Sequence, residues 1–169
     1  MPIRKVIIGD QASLRQVSSP VTEFNPELKQ LAADMVDTMR DYDGVGLAAP
    51  QVGALQRLIV IESAPIEDIP DNPVFPLKIL VNPSYEQLSP TQAEGIEGCL
   101  SLPRWYGPVN RFTKIRVTAQ DLDGNPVKFD AKDFEARVIQ HEVDHLNGVL
   151  FTDLVTDPTK LRKRVPRDE

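Results

Sequence analysis

The chain has 169 residues, 41% of them hydrophobic and 26% charged, which suits one soluble globular domain and leaves no room for a dinucleotide domain plus a substrate domain. A net charge of −6 at pH 7 argues against broad electrostatic binding to nucleic acid, and no apolar run is long enough to span a membrane. The start MPIRKVIIGD lacks the apolar segment of a signal peptide and the single cysteine, Cys99, excludes an internal disulfide framework, so a reducing, cytoplasmic setting is expected.

Asn25-Pro26 reads as an N-cap followed by proline at the first helical position. Leu28, Leu31, Ala32, Met35 and Met39 then recur on one face, predicting a helix over about 26–41. It runs into DGVGLAAPQVG at 43–53, whose Gly44, Gly46 and Ala49 match the dinucleotide-binding spacing G-x-G-x-x-[G/A]. That fingerprint needs a strand before it and a helix after it. Here a helix precedes, Pro50 and Gly53 interrupt, and the apolar run RLIVIE reads as a strand, so the dinucleotide reading fails on context. The glycines keep their general meaning, which is close approach of something to the backbone. Residues 62–76 read as a proline-rich surface loop. Strands are predicted at 78–88 and over 114–130, where Asp123-Gly124-Asn125 signals the turn of an antiparallel hairpin. Between them, TQAEGIEGCLSLPRWYGPVNR keeps no sustained period and reads as a loop or short strand bearing Trp105 and Tyr106. From about Asp130 the pattern turns helical, with Asp130 as cap, Asp133 in the first turn and Asn147-Gly148 as the stop. The tail, about 155–169, carries Lys160, Arg162, Lys163, Arg164 and Arg167 and reads as a solvated charged segment with at most a short helix near Asp157-Pro158.

The second helix holds both histidines of the chain, within His141-Glu142-x-x-His145. Helical positions four apart lie about 40° from each other, so both imidazoles leave one face and can grip one ion. Glu142 sits beside them, where a carboxylate can serve as general base without being a ligand. Phe134 and Val138 fall on the histidine face, which turns the ligands toward the interior. A catalytic site of this type usually takes three protein ligands, and no further histidine exists. A glutamate from a following helix has little chain after Gly148 to come from. A thiolate binds zinc or ferrous iron well, so Cys99, beside Gly98 in an expected loop, is the better candidate than a merely structural thiol.

Three stretches in order, GVGLAAPQ at 44–51, EGCLS at 97–101 and QHEVDHLNG at 140–148, closely resemble the three signature motifs of peptide deformylase. That family removes the formyl group from the N-terminal methionine of nascent polypeptides. The resemblance implies an α+β fold of mixed, mainly antiparallel sheets around a central helix carrying the histidines. It implies Cys99, His141 and His145 as metal ligands, Glu142 as the catalytic carboxylate, and Gln51 with the Leu100 backbone N–H as donors to the formyl oxygen. The ion it implies is ferrous iron, with zinc, nickel or cobalt able to occupy the same ligands. Gly44, Val45, Gly46 and Gly98 are then expected beside an extended peptide, with Val45, Phe134 and Val138 as candidates for an apolar methionine pocket. The expected partners are N-formylmethionyl nascent peptides, taken by a monomer with at most transient ribosome contact and no specific nucleic-acid or membrane binding. Arg137 stands one turn before His141, where many members carry an aliphatic residue, and is expected to make the pocket edge more polar or to turn outward. Two other functions use some of these residues: a zinc endopeptidase, which shares His-Glu-x-x-His, and a catalytically inactive metal-binding relative. A thiol as third ligand weighs against the first and an intact Glu142 against the second.

Overall fold

A computed structural model of the chain describes residues 3–163, so Arg164 and Arg167 of the basic tail lie outside it. The helix α1 (Pro26–Asp41) begins where its caps predict: the Leu28 N–H donates to the Asn25 side chain at 3.0 Å, and Pro26 fills the first position. In chain order the strands are β1 (Gly46–Ala48), β2 (Leu58–Ser63), β3 (Phe75–Gln87), β4 (Gln92–Cys99), β5 (Leu102–Phe112), β6 (Lys114–Gln120), β7 (Pro126–Lys132) and β8 (Arg162–Lys163), with α2 (Asp133–Leu146) after β7. They form a five-stranded sheet in the order β1-β2-β3-β6-β7 and a three-stranded sheet β4-β5-β8, antiparallel throughout. The fold is thus the expected α+β mixture. Among the described residues no helix is long and apolar enough to cross a membrane.

The apolar run in β2 shows how the layers form. Leu58 and Val60 join the cluster of Leu31, Met35 and Met39 from α1, while Ile59 and Ile61 join Ile139, Val143 and Leu146 from α2. All four β2 side chains are shielded from water, so this strand has no polar face to alternate with. Truncating a side chain of this kind to alanine typically costs about 2–5 kcal/mol.

Three sequence expectations change. The stretch 91–111 is a long hairpin, with β4 and β5 paired from Gln92–Phe112 to Cys99–Leu102, and Cys99 is the last residue of a strand rather than part of a loop. Its strand pattern is masked because buried positions carry charge, at Glu97 and Arg111. Asp130 is not the helix cap: it lies in β7 and pairs with Arg116 at 2.9 Å, and Lys132 precedes α2 without a side-chain cap. The tail makes a single 3-10 turn at Pro158–Lys160 and then β8, which adds to β5 opposite Trp105 and Tyr106. The predicted stop does end α2, with Gly148 in the left-handed region at φ 75°.

The helix α2 packs on strands of both sheets. Gln140 staples it to β5, since its side-chain amide accepts from the Phe112 N–H at 3.0 Å and donates to the Phe112 carbonyl at 2.9 Å. That staple brings the end of β4 over the histidine face of the helix.

Candidate metal centre

His141 and His145 leave α2 on one side and meet Cys99 at the end of β4, with one ligand atom from each residue within 4.8 Å of the others. Cys99 Sγ lies 3.3 Å from His145 Nε2. Bonds of about 2.3 Å to sulfur and 2.0–2.1 Å to nitrogen in a tetrahedral site place those two donors about 3.5 Å apart, so the spacing suits one small divalent cation. Protonation states favour the same conclusion. Burial, with the positive charges of His141 and Arg111, holds His145 well below its ordinary pKa, so the ring is neutral and keeps a lone pair for a metal. Burial also opposes a charge on His141, yet hydrogen bonds to Cys99 and Glu97 and the nearby Glu142 outweigh it and push that pKa well up. A cation binding at these donors would compete with the proton that His141 holds.

Glu97 orients the first histidine. His141 Nδ1 donates to Glu97 Oε1 at 2.9 Å, which turns the other ring nitrogen, Nε2, toward Cys99. The same carboxylate accepts from Arg111 Nε at 2.9 Å and Nη2 at 2.8 Å, and from Arg137 Nη1 at 2.7 Å. Burial pushes the Glu97 carboxyl up, but Arg111 and His141 more than reverse this and bring it to about 2. Arg111 Nη1 continues to Asp144 on α2 at 2.5 Å, tying the hairpin to the helix through charge as well as through Gln140.

Glu142 has the opposite surroundings. It is 2% exposed, and its Oε1 has no hydrogen-bond partner among the described residues while lying 4.0 Å from His145 Nε2. Burial raises its pKa to about 7, against the opposing charge of His141; a cation held by Cys99, His141 and His145 would lower it again. A buried carboxylate left without donors destabilises the fold and is kept where chemistry needs it. Gly46 makes the space: a Cβ there would stand 2.6 Å from Glu142 Oε2. Gln51 is aimed at the same point. The Ala48 N–H donates to its Oε1 at 2.9 Å, which fixes the amide so that Nε2 points at Ser101 Oγ, 3.1 Å away, and Cys99 Sγ, 3.5 Å away.

A family model for polypeptide deformylase matches residues 3–161. The chain belongs to the polypeptide deformylase family. It is 42% identical to the peptide deformylase of Thermomicrobium roseum over 169 residues, which span 100% of this chain and 94% of the relative. Among solved structures it is similar to the Met-Ala-Ser-bound class I type b peptide deformylase of Acinetobacter baumannii, with TM-score 0.86, 37% identity, and 91% and 99% of the two chains covered. It is also similar to the peptide deformylase of Synechococcus elongatus in complex with actinonin, with TM-score 0.84, 38% identity, and 95% and 82% covered. Deformylases are metal-dependent, and the Cys99, His141 and His145 donors are suited to such an ion.

In this deformylase-family chain Cys99 and His141 open into a cavity of about 770 Å³. Its walls bring together the other residues singled out in the sequence. Gly44, Val45 and Gly46 line one side, Gly98 and Leu100 another, and Phe134 and Val138 a third. Phe134 and Val138 pack against the core, whereas Val45 is 37% exposed, nearer the mouth. The glycines do more than admit a ligand: a Cβ on Gly44 would meet Leu100 Cδ1 at 2.8 Å, and one on Gly98 would meet Tyr106 Cε1 at 2.6 Å. Of the two expectations for Arg137 the more polar edge is the one found, since it lines the cavity while its guanidinium reaches Glu97 and donates to the carbonyls of Val109 at 2.9 Å and Ala93 at 2.8 Å. Sequence reasoning missed Glu97, Ser101, Arg111 and Asp144. The only available signal was a carboxylate two residues before the thiol, and its partners come from distant strand and helix.

Proposed function

We propose that this chain is a peptide deformylase whose catalytic apparatus is Cys99, His141, His145, Glu142, Gln51 and the Leu100 N–H. The observation that carries the reading is the convergence of the three metal donors beside a buried Glu142 whose Oε1 has no hydrogen-bond partner among the described residues. Cys99, His141 and His145 would hold one divalent cation, ferrous iron as the native ion, with zinc, nickel or cobalt as substitutes. When bound, the cation supplies Lewis acidity that acidifies water and polarises a carbonyl.

The reaction adds water to the formyl carbon and breaks its bond to the methionine nitrogen, giving formate and a free amine. Glu142 takes the proton from the attacking water and returns it to the departing nitrogen, a role that contributes about 100- to 10,000-fold. Gln51 Nε2 and the Leu100 N–H donate to the formyl oxygen as charge builds on it, and each such donor is worth about 100- to 1,000-fold. The walls suggest how the peptide is held. Both β1 and β4 are edge strands of their sheets, and both border the cavity. An extended peptide fits as an added strand, with the backbone of Val45 and Gly46 on one side and Gly98 on the other. The methionine side chain then enters between Phe134 and Val138. The same reading makes the enzyme a cytoplasmic monomer that meets nascent chains with at most transient ribosome contact. The endopeptidase alternative gains no support, since the metal donors here include a thiol and the family is the deformylases.

The test is formate release. Protein loaded anaerobically with ferrous iron should deformylate formyl-Met-Ala-Ser, and Glu142→Ala should lower kcat by about 100-fold or more at unchanged metal content. Cleavage of a longer unformylated peptide without formate release would refute the reading.

A further inference from the structure

The hairpin that carries Cys99 contains an irregularity with no part in the metal centre. Leu102 pairs with Cys99 and Tyr106 with Gly98, so Pro103, Arg104 and Trp105 have no partners on β4 and bulge out of the ladder. Bulges of this kind turn a side chain away from its strand face. Arg104, at the middle of the bulge, sits in the left-handed region at φ 72°, a conformation that long L side chains rarely hold. It lines the same cavity as Cys99 and His141 and is exposed.

Among the described residues Arg104 also differs from the other arginines in having no hydrogen-bond acceptor or ion-pair partner there. Every other arginine among the described residues donates to a carboxylate or a carbonyl oxygen. Arg104 has no such acceptor among them. Further positive charge backs it: β8 places Lys163 opposite Trp105, with Nζ 5.7 Å from the centre of the indole ring. A guanidinium that lines a cavity and has no acceptor among the described residues is a fork for a planar anion, and a carboxylate is the group it fits.

Chain geometry sets where that carboxylate would lie. Antiparallel partners such as Cys99 and Leu102 have Cα atoms about 4.5–5.5 Å apart, and two further residues reach at most about 7 Å. Arg104 therefore stands within about 12 Å of Cys99, backbone to backbone, which an extended peptide covers in three to four residues. We propose that Arg104 makes this enzyme favour formylated peptides with an acidic side chain at the third or fourth residue, through a charge-assisted hydrogen bond at the mouth of the cavity. The proposal rests on the deformylase reading for the direction of the peptide. One opposing charge faces the mouth, Asp43, which is exposed on the α1–β1 side.

The experiment compares formyl-Met-Ala-Glu-Glu-Ala with formyl-Met-Ala-Lys-Lys-Ala in low salt, for wild type, Arg104→Gln and Arg104→Glu. Wild type should favour the acidic peptide about three- to tenfold in kcat/KM, through KM, as expected for an exposed ion pair whose sign is reversed between substrates. Arg104→Gln should bring the ratio near one, and Arg104→Glu should invert it. Formate release from neutral formyl-Met-Ala-Ser checks the deformylase reading separately. Calorimetric titration with the unformylated products Met-Ala-Glu-Glu-Ala and Met-Ala-Lys-Lys-Ala reads the same preference whether or not formate appears. Equal binding of the two peptides by wild type, or an acidic preference that survives in Arg104→Gln, overturns the proposal. So does a wild-type preference for lysine, which would assign the mouth to Asp43.

Discussion

Two arginines of this protein sit in the same chemistry and in different solvent. Arg111 lies between Glu97 and Asp144, and Arg15 lies between Asp10 and Asp153. The Arg111 side chain is 5% exposed and the Arg15 side chain 34%, with Asp10 at 60%. Water compensates the second cluster whenever a member leaves, whereas the first has only its own members. Even with Arg111 beside it, burial raises the Asp144 carboxyl above its ordinary value, so the pairing does not fully offset desolvation there. A buried cluster of this kind is a poor source of stability but a firm constraint on geometry. Here the geometry it constrains is the angle of His141 and the seat of β4 on α2.

The comparison breaks most sharply at Arg111 itself. Arg111→Met leaves Glu97 and Asp144 buried with one cation fewer between them and should lower the unfolding free energy by about 3–5 kcal/mol in a urea titration. A loss below about 1 kcal/mol would put the buried cluster on the footing of a surface pair. The next largest effect separates orientation from stability. Glu97→Gln keeps the side-chain shape but weakens the acceptor for His141 Nδ1, and chelator competition should show metal affinity falling about 10- to 100-fold. Unchanged affinity in a folded Glu97→Gln protein would mean that the helix alone fixes the ring.

That contrast also explains what the sequence disclosed. The helix α1, the strand β2, the β6–β7 hairpin and α2 follow from local signals: an Asn-Pro start, an unbroken apolar run, an Asp-Gly-Asn turn and a Gly148 stop. The paired histidines belong with these, because one turn of helix is enough to define their geometry. The β4–β5 hairpin stayed hidden for a physical reason. Its buried positions hold Glu97 and Arg111 while Ile96 is 63% exposed, the reverse of the alternation by which a half-buried strand is recognised. Cys99 could be named only because a coordination position was unfilled and the chain has a single thiol. Glu97, Arg111 and Asp144 have meaning only as a set, and nothing along the chain links a strand residue, its neighbour strand and a helix before they fold together. The Gly46 contact with Glu142 is of the same type, since sequence suggests close approach but not what approaches.

Acid and salt give the smallest and finest test of the two clusters. The Glu97 carboxyl sits at about 2 in the fold against an ordinary value of 4.5: burial raises it, and Arg111 and His141 lower it further than burial raises it. A depressed pKa contributes stability that is complete above the ordinary value and is lost as pH falls from about 5 toward about 2. The hydrogen bonds to Arg15 likewise lower Asp10 and Asp153, which gives these exposed groups the same sign of pH dependence. Asp144, raised by burial, carries the opposite sign, but Glu97 shares its sign with Asp10 and Asp153, so screening is what separates these groups. Arg15→Ala should cost no more than about 1 kcal/mol at neutral pH, and that difference should fade in 0.5 M salt, roughly where the Debye length drops below about 5 Å. The acid unfolding curve of Arg15→Ala should then overlay wild type in high salt and still fall across the window set by Glu97. If removing Arg15 instead shifted that curve equally at low and high salt, the exposed cluster would be acting as though buried, and exposure would not be what distinguishes the two.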